Sequence, residues 1–162
     1  MKKILSLASI CVIISACGFN PIYGTKHKNV TNTLSHIEIS NIADRSGQIL
    51  RNDLIDRFYS NGRPNDISYI LDVAPIEENI VDLDITKSSD ATRAQLHLKT
   101  KINLKDTRSG EVILSRNISA ISSYNVLTSE FATRVSAQNT RENAINDLAR
   151  QIELQIGLYL NR

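Results

Sequence analysis

The sequence predicts an α+β domain: a two-layer sandwich in which a mostly antiparallel sheet of about four strands carries two helices packed on one face. Three observations lead there. Residues 93–105 alternate polar and apolar without interruption, the period-two pattern of a half-buried strand. Ile145, Leu148, Ile152, Ile156 and Tyr159 recur four, three, four and three residues apart, which puts them on one stripe of a helix. The order along the chain is strand, helix, several strands, helix, and each element has one apolar side that another must cover.

Taken in order, Ile37 and Ile39 alternate with His36, Glu38 and Ser40 as a short strand. Asp44 or Ser46 caps the helix that follows, whose Leu50, Leu54, Ile55 and Phe58 fall at near-helical spacing. Asn61-Gly62-Arg63-Pro64 stops it with two breakers. The next strand turns Ile67, Tyr69, Leu71 and Val73 to one face. Pro75 and the pair Glu77-Glu78 mark a break or bulge, because proline cannot donate to a ladder. Val81, Leu83 and Ile85 resume the alternation, with Asp82 and Asp84 opposite.

The long strand then sets Ala94, Leu96, Leu98, Thr100, Ile102 and Leu104 on one face. Arg93, Gln95, His97, Lys99, Lys101, Asn103 and Lys105 take the other. Asp106-Thr107-Arg108-Ser109-Gly110 reads as a hairpin loop. Val112, Leu114, Ile118 and Ala120 mark the returning strand, where Arg116 is a misfit on the inward face. Asn139 followed by Glu142 suits the start of the final helix, with Phe131 and Val135 in an earlier turn. The sheet face away from the helices is left polar and open.

Length and composition agree with one domain of ordinary size, since the chain has 162 residues. With 41% hydrophobic and 22% charged residues it can bury a core, which excludes a disordered chain. Gly 6, Pro 3 and Cys 2 exclude collagen-like and disulfide-rich scaffolds.

The first residues form an export signal. Lys2 and Lys3 precede an apolar run from Ile4 to Ile14 that is too short to cross a hydrocarbon core of about 30 Å. Ile14-Ser15-Ala16-Cys17 then resembles the bacterial lipobox, in which the cysteine thiol receives a diacylglyceryl group and becomes the first mature residue. Residues 1–16 are accordingly read as the signal peptide, 17–33 as a lipidated tether and 34–162 as the domain. Fully extended, the sixteen residues after the cysteine reach at most ~55 Å. Removal of Lys2 and Lys3 leaves 17 basic residues against 17 acidic ones, a balance that argues against nucleic-acid binding. Gly18 follows the cysteine where inner-membrane lipoproteins typically carry Asp, so the resemblance sends this one to the outer membrane, on the periplasmic side.

Few residues could carry chemistry. His27, His36 and His97 lack a second ligand at metal spacing and read as solvated. Asp82 and Asp84 share a strand face without a third acidic partner, which again reads as solvated. No nucleophile elbow, P-loop or dinucleotide fingerprint occurs, so the chain is not expected to be an enzyme and no cofactor is expected beyond the lipid on Cys17. The basic residues of the long strand, Arg93, Lys99, Lys101 and Lys105, remain, with Lys87 in the loop before it. Such a row serves either as a solvated strand face or as a surface for phosphate-bearing lipid.

Three segments together resemble the LPS-assembly lipoproteins, the LptE family. They are Cys17-Gly18-Phe19-Asn20-Pro21-Ile22-Tyr23-Gly24, then Ile121-Ser122-Ser123-Tyr124-Asn125, and then Arg141 to Ile152 continuing to Leu158-Tyr159-Leu160. The resemblance implies a lipoprotein that plugs the lumen of a large outer-membrane barrel, helps that barrel assemble, and binds lipopolysaccharide on its way to the outer leaflet. It also implies lipid-binding basic residues near the start of the long strand and at the approach to the last helix. The candidates are then Lys87, Arg93, Lys99, Lys101 and Arg134. A structural adaptor lipoprotein of another envelope complex, serving barrel assembly or phospholipid transport, is the alternative.

If Cys17 carries the lipid, Cys17→Ala abolishes palmitate labelling and leaves the precursor mass unprocessed at that site. Unchanged labelling and mass would refute the anchor.

Overall fold

Unbroken alternation over residues 93–105 becomes the longest strand of the domain, β4 (Ala91–Asp106), in a computed structural model that describes residues 33–59, 62, 66–85 and 91–161. The signal segment, Cys17, the tether with His27, the breakers Asn61, Arg63 and Pro64, and Lys87 lie outside the described residues. Before β4 come β1 (Ile37–Ile39), α1 (Asp44–Phe58), β2 (Tyr69–Val73) and β3 (Glu77–Ile85); after it come β5 (Val112–Asn125) and α2 (Glu130–Leu160). The fold is α+β, as the sequence predicts, with five strands in one mostly antiparallel sheet. The additional strand arises because the segment from 69 to 85 divides in two.

β4 organises the sheet because both of its edges are paired. β5 runs antiparallel along one edge, from Arg93↔Asn125 to Lys105↔Val112. β2 and β3 share the other edge, from Tyr69↔Asp106 to Val73↔Ile102 and from Glu77↔Lys99 to Ile85↔Ala91. β1 adds to β2 in parallel, Ile37↔Tyr69 to Ile39↔Leu71, through the crossover helix α1. A parallel neighbour needs such a crossover, and α1 supplies it.

The break at Pro75 is a bulge with a large effect. Three residues, 74–76, stand opposite two, Thr100 and Lys101. Ala74 N donates to Lys101 O at 2.8 Å, and Thr100 Oγ1 donates to Ala74 O at 2.7 Å. Side chains alternate with a period of two, so one extra residue exchanges the faces of everything beyond it. Leu71 and Val73 of β2 point into the core, but in β3 Glu78, Ile80 and Asp82 oppose the inward Leu98, Leu96 and Ala94. Val81 and Leu83 thus go to the open face rather than resuming the inward row. Asp82 is exposed on the helix side.

Both helices pack on the face of β4 that carries Ala94, Leu96, Leu98, Ile102 and Leu104, all buried. Leu50, Leu54 and Phe58 of α1 and Ile145, Leu148, Ile152 and Ile156 of α2 complete the core. Arg57 ties the helices together, donating to Glu153 Oε2 at 3.1 Å and to Asn146 Oδ1 at 3.2 Å. The expected cap of α1 is not used: Ala43 occupies the N-cap without a side-chain bond, and Asp44 begins the helix at φ 66°. Ile42 crosses so close to Gly47 that a β-carbon there would lie 2.7 Å from Ile42 Cγ2, which governs how the chain enters the helix.

α2 begins nine residues before Asn139, because Ser129 provides the cap and accepts from Ala132 N. Its first turns lack an inward stripe: Phe131 is 77% exposed and Val135 also faces solvent. Arg141, further along, reaches the sheet with two nitrogens on Glu78, Nε at 2.9 Å and Nη2 at 2.5 Å. Arg116, the misfit of β5, opposes Ile102 yet stays exposed, and its Nη1 donates to Ser115 O at 3.1 Å. Gln151 Nε2 of α2 donates to Ser119 O at 3.0 Å.

Two predictions follow from this packing. Leu148→Ala deletes a fully buried side chain where α2 meets the sheet and costs about 2–5 kcal/mol in denaturant titration; a change below about half a kcal/mol would place the helix outside the core. The second concerns Glu78, whose pKa is lowered chiefly by its hydrogen bond to Arg141. A depressed carboxylate stabilises above its unfolded pKa and loses that contribution as pH falls through the folded value. Relative to Glu78→Gln, the wild type is thus more stable at pH 7, by about 0.5–1 kcal/mol, and the difference shrinks in acid below the ordinary glutamate range. Urea midpoints that differ equally at pH 7 and pH 3 would contradict it.

Candidate functional site: an open basic sheet face

Because both helices take one side of the sheet, the other side is left to the alternate residues of each strand. On β4 these are Arg93, Gln95, His97, Lys99, Lys101, Asn103 and Lys105; Asn117, Ser119, Ile121 and Ser123 stand beside them on β5. Glu77, Asn79, Val81 and Leu83 flank them on β3.

The charges on this face are not equivalent. Lys105 Nζ lies 2.5 Å from Asp72 Oδ2, and Ser40 Oγ donates to Asp72 Oδ1. Asp72 is held below the usual carboxylate range, first by the Lys105 hydrogen bond and then by that of Ser40. Lys105 is therefore neutralised and ties β4 to β2. Arg93, Lys99 and Lys101 make no ion pair among the described residues. Glu77 stands opposite Lys99 in the register without a salt bridge to it.

The five candidates do not converge on one point. Lys99 and Lys101 are neighbours on one strand face, about 6.7 Å apart. Arg93 stands six residues away on the same face, about 20 Å along the strand. Between them His97 Nε2 lies 2.8 Å from Gln95 Oε1. Arg134 is on the early turns of α2, at the end of the sheet where Val126 N donates to Thr92 O, and its guanidinium is 2.5 Å from Glu130 Oε1 in full solvent. Lys87 is outside the described residues, and so is the side chain of Asp84.

Sequence reasoning missed the neighbours of Lys99 and Lys101. A concave patch of about 420 Å³ opens over these two lysines, walled by Ala74 and Pro75 of the bulge, with Glu77, Asn117 and Ser119 around it. Lys99 pairs with Ser119 and Lys101 with Asn117 across the hairpin. The inward positions of Ile118 and Ala120 carried the signal for Asn117 and Ser119; the concavity, made by the bulge, had none.

The domain thus has two layers, with one sheet face covered by helices and the other open and unevenly basic. Among the described residues, no group of histidine, cysteine or acidic side chains could hold a metal ion, and no helix is long and apolar enough to cross a membrane. Residues 34–157 match the family described as LptE, lipopolysaccharide-assembly, and the chain belongs to that family. A crystal structure of a lipoprotein from Caulobacter crescentus CB15 is similar, with a TM-score of 0.65 and 26% identity over 82% of this chain and 96% of that one. The minor lipoprotein from Acinetobacter baumannii shares the fold at a TM-score of 0.60 and 22% identity, covering 78% of this chain and 94% of that one. Rare lipoprotein B from Shewanella oneidensis does so at 0.59 and 11%, covering 78% and 98%. No curated protein matches the chain.

Proposed function

We propose that this protein, anchored to the outer membrane through a lipid on Cys17 and a tether over 17–33, plugs the barrel of the lipopolysaccharide translocon and helps it assemble. In that place it binds lipopolysaccharide during insertion into the outer leaflet, and it acts by binding rather than catalysis. Membership of the lipopolysaccharide-assembly family supports the setting. The observation that carries the lipid-binding half is the open face itself, where Arg93, Lys99 and Lys101 make no ion pair among the described residues. Cationic side chains that are not neutralised by the protein are available to phosphate oxygens, which accept short charge-assisted hydrogen bonds. Lys87, outside the described residues, and Arg134, which pairs with Glu130, belong to the same reading as further contacts.

Purification of the lipidated protein from detergent-solubilised outer membranes tests both halves. The expected result is a large β-barrel at about one copy per copy, with lipopolysaccharide in the same fraction and its retention falling as salt is raised, because exposed charges are screened within about 8–10 Å at physiological ionic strength. Recovery of a different envelope complex without lipopolysaccharide would identify a structural adaptor and overturn the proposal.

A further inference from the structure

The concave patch at the bulge has a composition that the rest of the open face does not share. Lys99 and Lys101 on β4 face Ser119 and Asn117 on β5, four side chains at the corners of a small rectangle. Strand geometry makes it roughly 4.5–5.5 Å across the strands and about 6.7 Å along them. Two ammonium groups, an amide and a hydroxyl therefore line one patch of the face, all of them able to donate. Lysine ammonium groups act on phosphate oxygens as point charges, and the neighbouring amide and hydroxyl add directed hydrogen bonds.

The surroundings add selectivity. Ala74 and Pro75 of the bulge wall one side. Glu77 stands on the rim beside Lys99. A rim carboxylate repels a second anion but accepts hydrogen bonds from hydroxyl groups. The concavity measures about 420 Å³ and is open to solvent.

We propose that Lys99, Lys101, Asn117 and Ser119 form a discrete subsite for a single phosphorylated sugar of the lipopolysaccharide headgroup, separate from any contacts made by Arg93 and Arg134. The subsite rests on the lipid-binding reading above and sharpens it: the phosphate sits over the four donors, and the sugar hydroxyls turn toward Glu77.

The test uses the full lipidated chain in detergent and the variant Asn117→Asp/Ser119→Asp. Both residues are exposed, so the substitutions leave the core intact while placing two carboxylates beside the lysines. Binding is measured at low salt for lipopolysaccharide, dephosphorylated lipopolysaccharide, glucosamine 1-phosphate and inorganic phosphate. The variant is expected to bind lipopolysaccharide at least about tenfold more weakly, to bind the dephosphorylated form as the wild type does, and to lose glucosamine 1-phosphate. If wild type and variant bind lipopolysaccharide equally, the subsite is overturned and the proposed function stands. If the wild type binds glucosamine 1-phosphate but not lipopolysaccharide, the lipid-binding reading fails and takes the headgroup assignment with it. Equal affinity for inorganic phosphate and the sugar phosphate would remove the sugar from the site. Should the double variant not fold by circular dichroism, Lys101→Met, at an exposed position, carries the same comparison.

Discussion

One strand face determines the rest of this molecule. The side of β4 bearing Ala94, Leu96, Leu98, Ile102 and Leu104 is fully removed from water by the helix layer laid along it. α2 provides most of the cover and α1 the remainder, so the apolar area that stabilises the domain is concentrated on one side of one sheet. The opposite side is exposed by the same arrangement. A sheet with helices on both faces would have had no open surface and would have buried Lys99 and Lys101 at great cost. Stability and the binding face are thus two sides of a single layer.

The bulge at 74–76 refines this arrangement. By exchanging the faces of β3, it brings Glu78 to the helix side, where Arg141 holds it, and sends Glu77 to the open side beside Lys99. One inserted residue therefore supplies both the polar pin between α2 and the sheet edge and the rim of the concave patch. Without it, Val81 and Leu83 would join the inward row and the two glutamates would trade places.

Much of this was legible in the sequence, and the misses have physical causes. β4 was read correctly because thirteen alternating residues admit no other period, and the stripe of α2 from Ile145 onward was equally plain. The early turns of α2 escaped because they project beyond the core, so Phe131 and Val135 carry no inward pattern to read. Pro75 announced a break, but which residues face each other across it depends on pairing with β4, a long-range property. The same holds for the parallel pairing of β1 with β2. In the site, alternation alone put Lys99 and Lys101 on one face. Their relation to Asn117 and Ser119 required the hairpin register, and the neutralisation of Lys105 by Asp72 required a neighbour 33 positions away.

The outer edge of β5, unpaired among the described residues, bears on how a one-sided sheet avoids growing. A long outer strand offers unsatisfied carbonyls to any passing chain, the usual nucleus for fibrils and runaway association. Here the guanidinium of Arg116 occupies the carbonyl of Ser115 and the amide of Gln151 that of Ser119. An incoming strand would have to displace both and strip water from a cation set on the core-facing side. An inward-pointing charge on an edge strand is one of the devices that discourage edge-to-edge pairing, and the residue that looked like a misfit in the sequence supplies it.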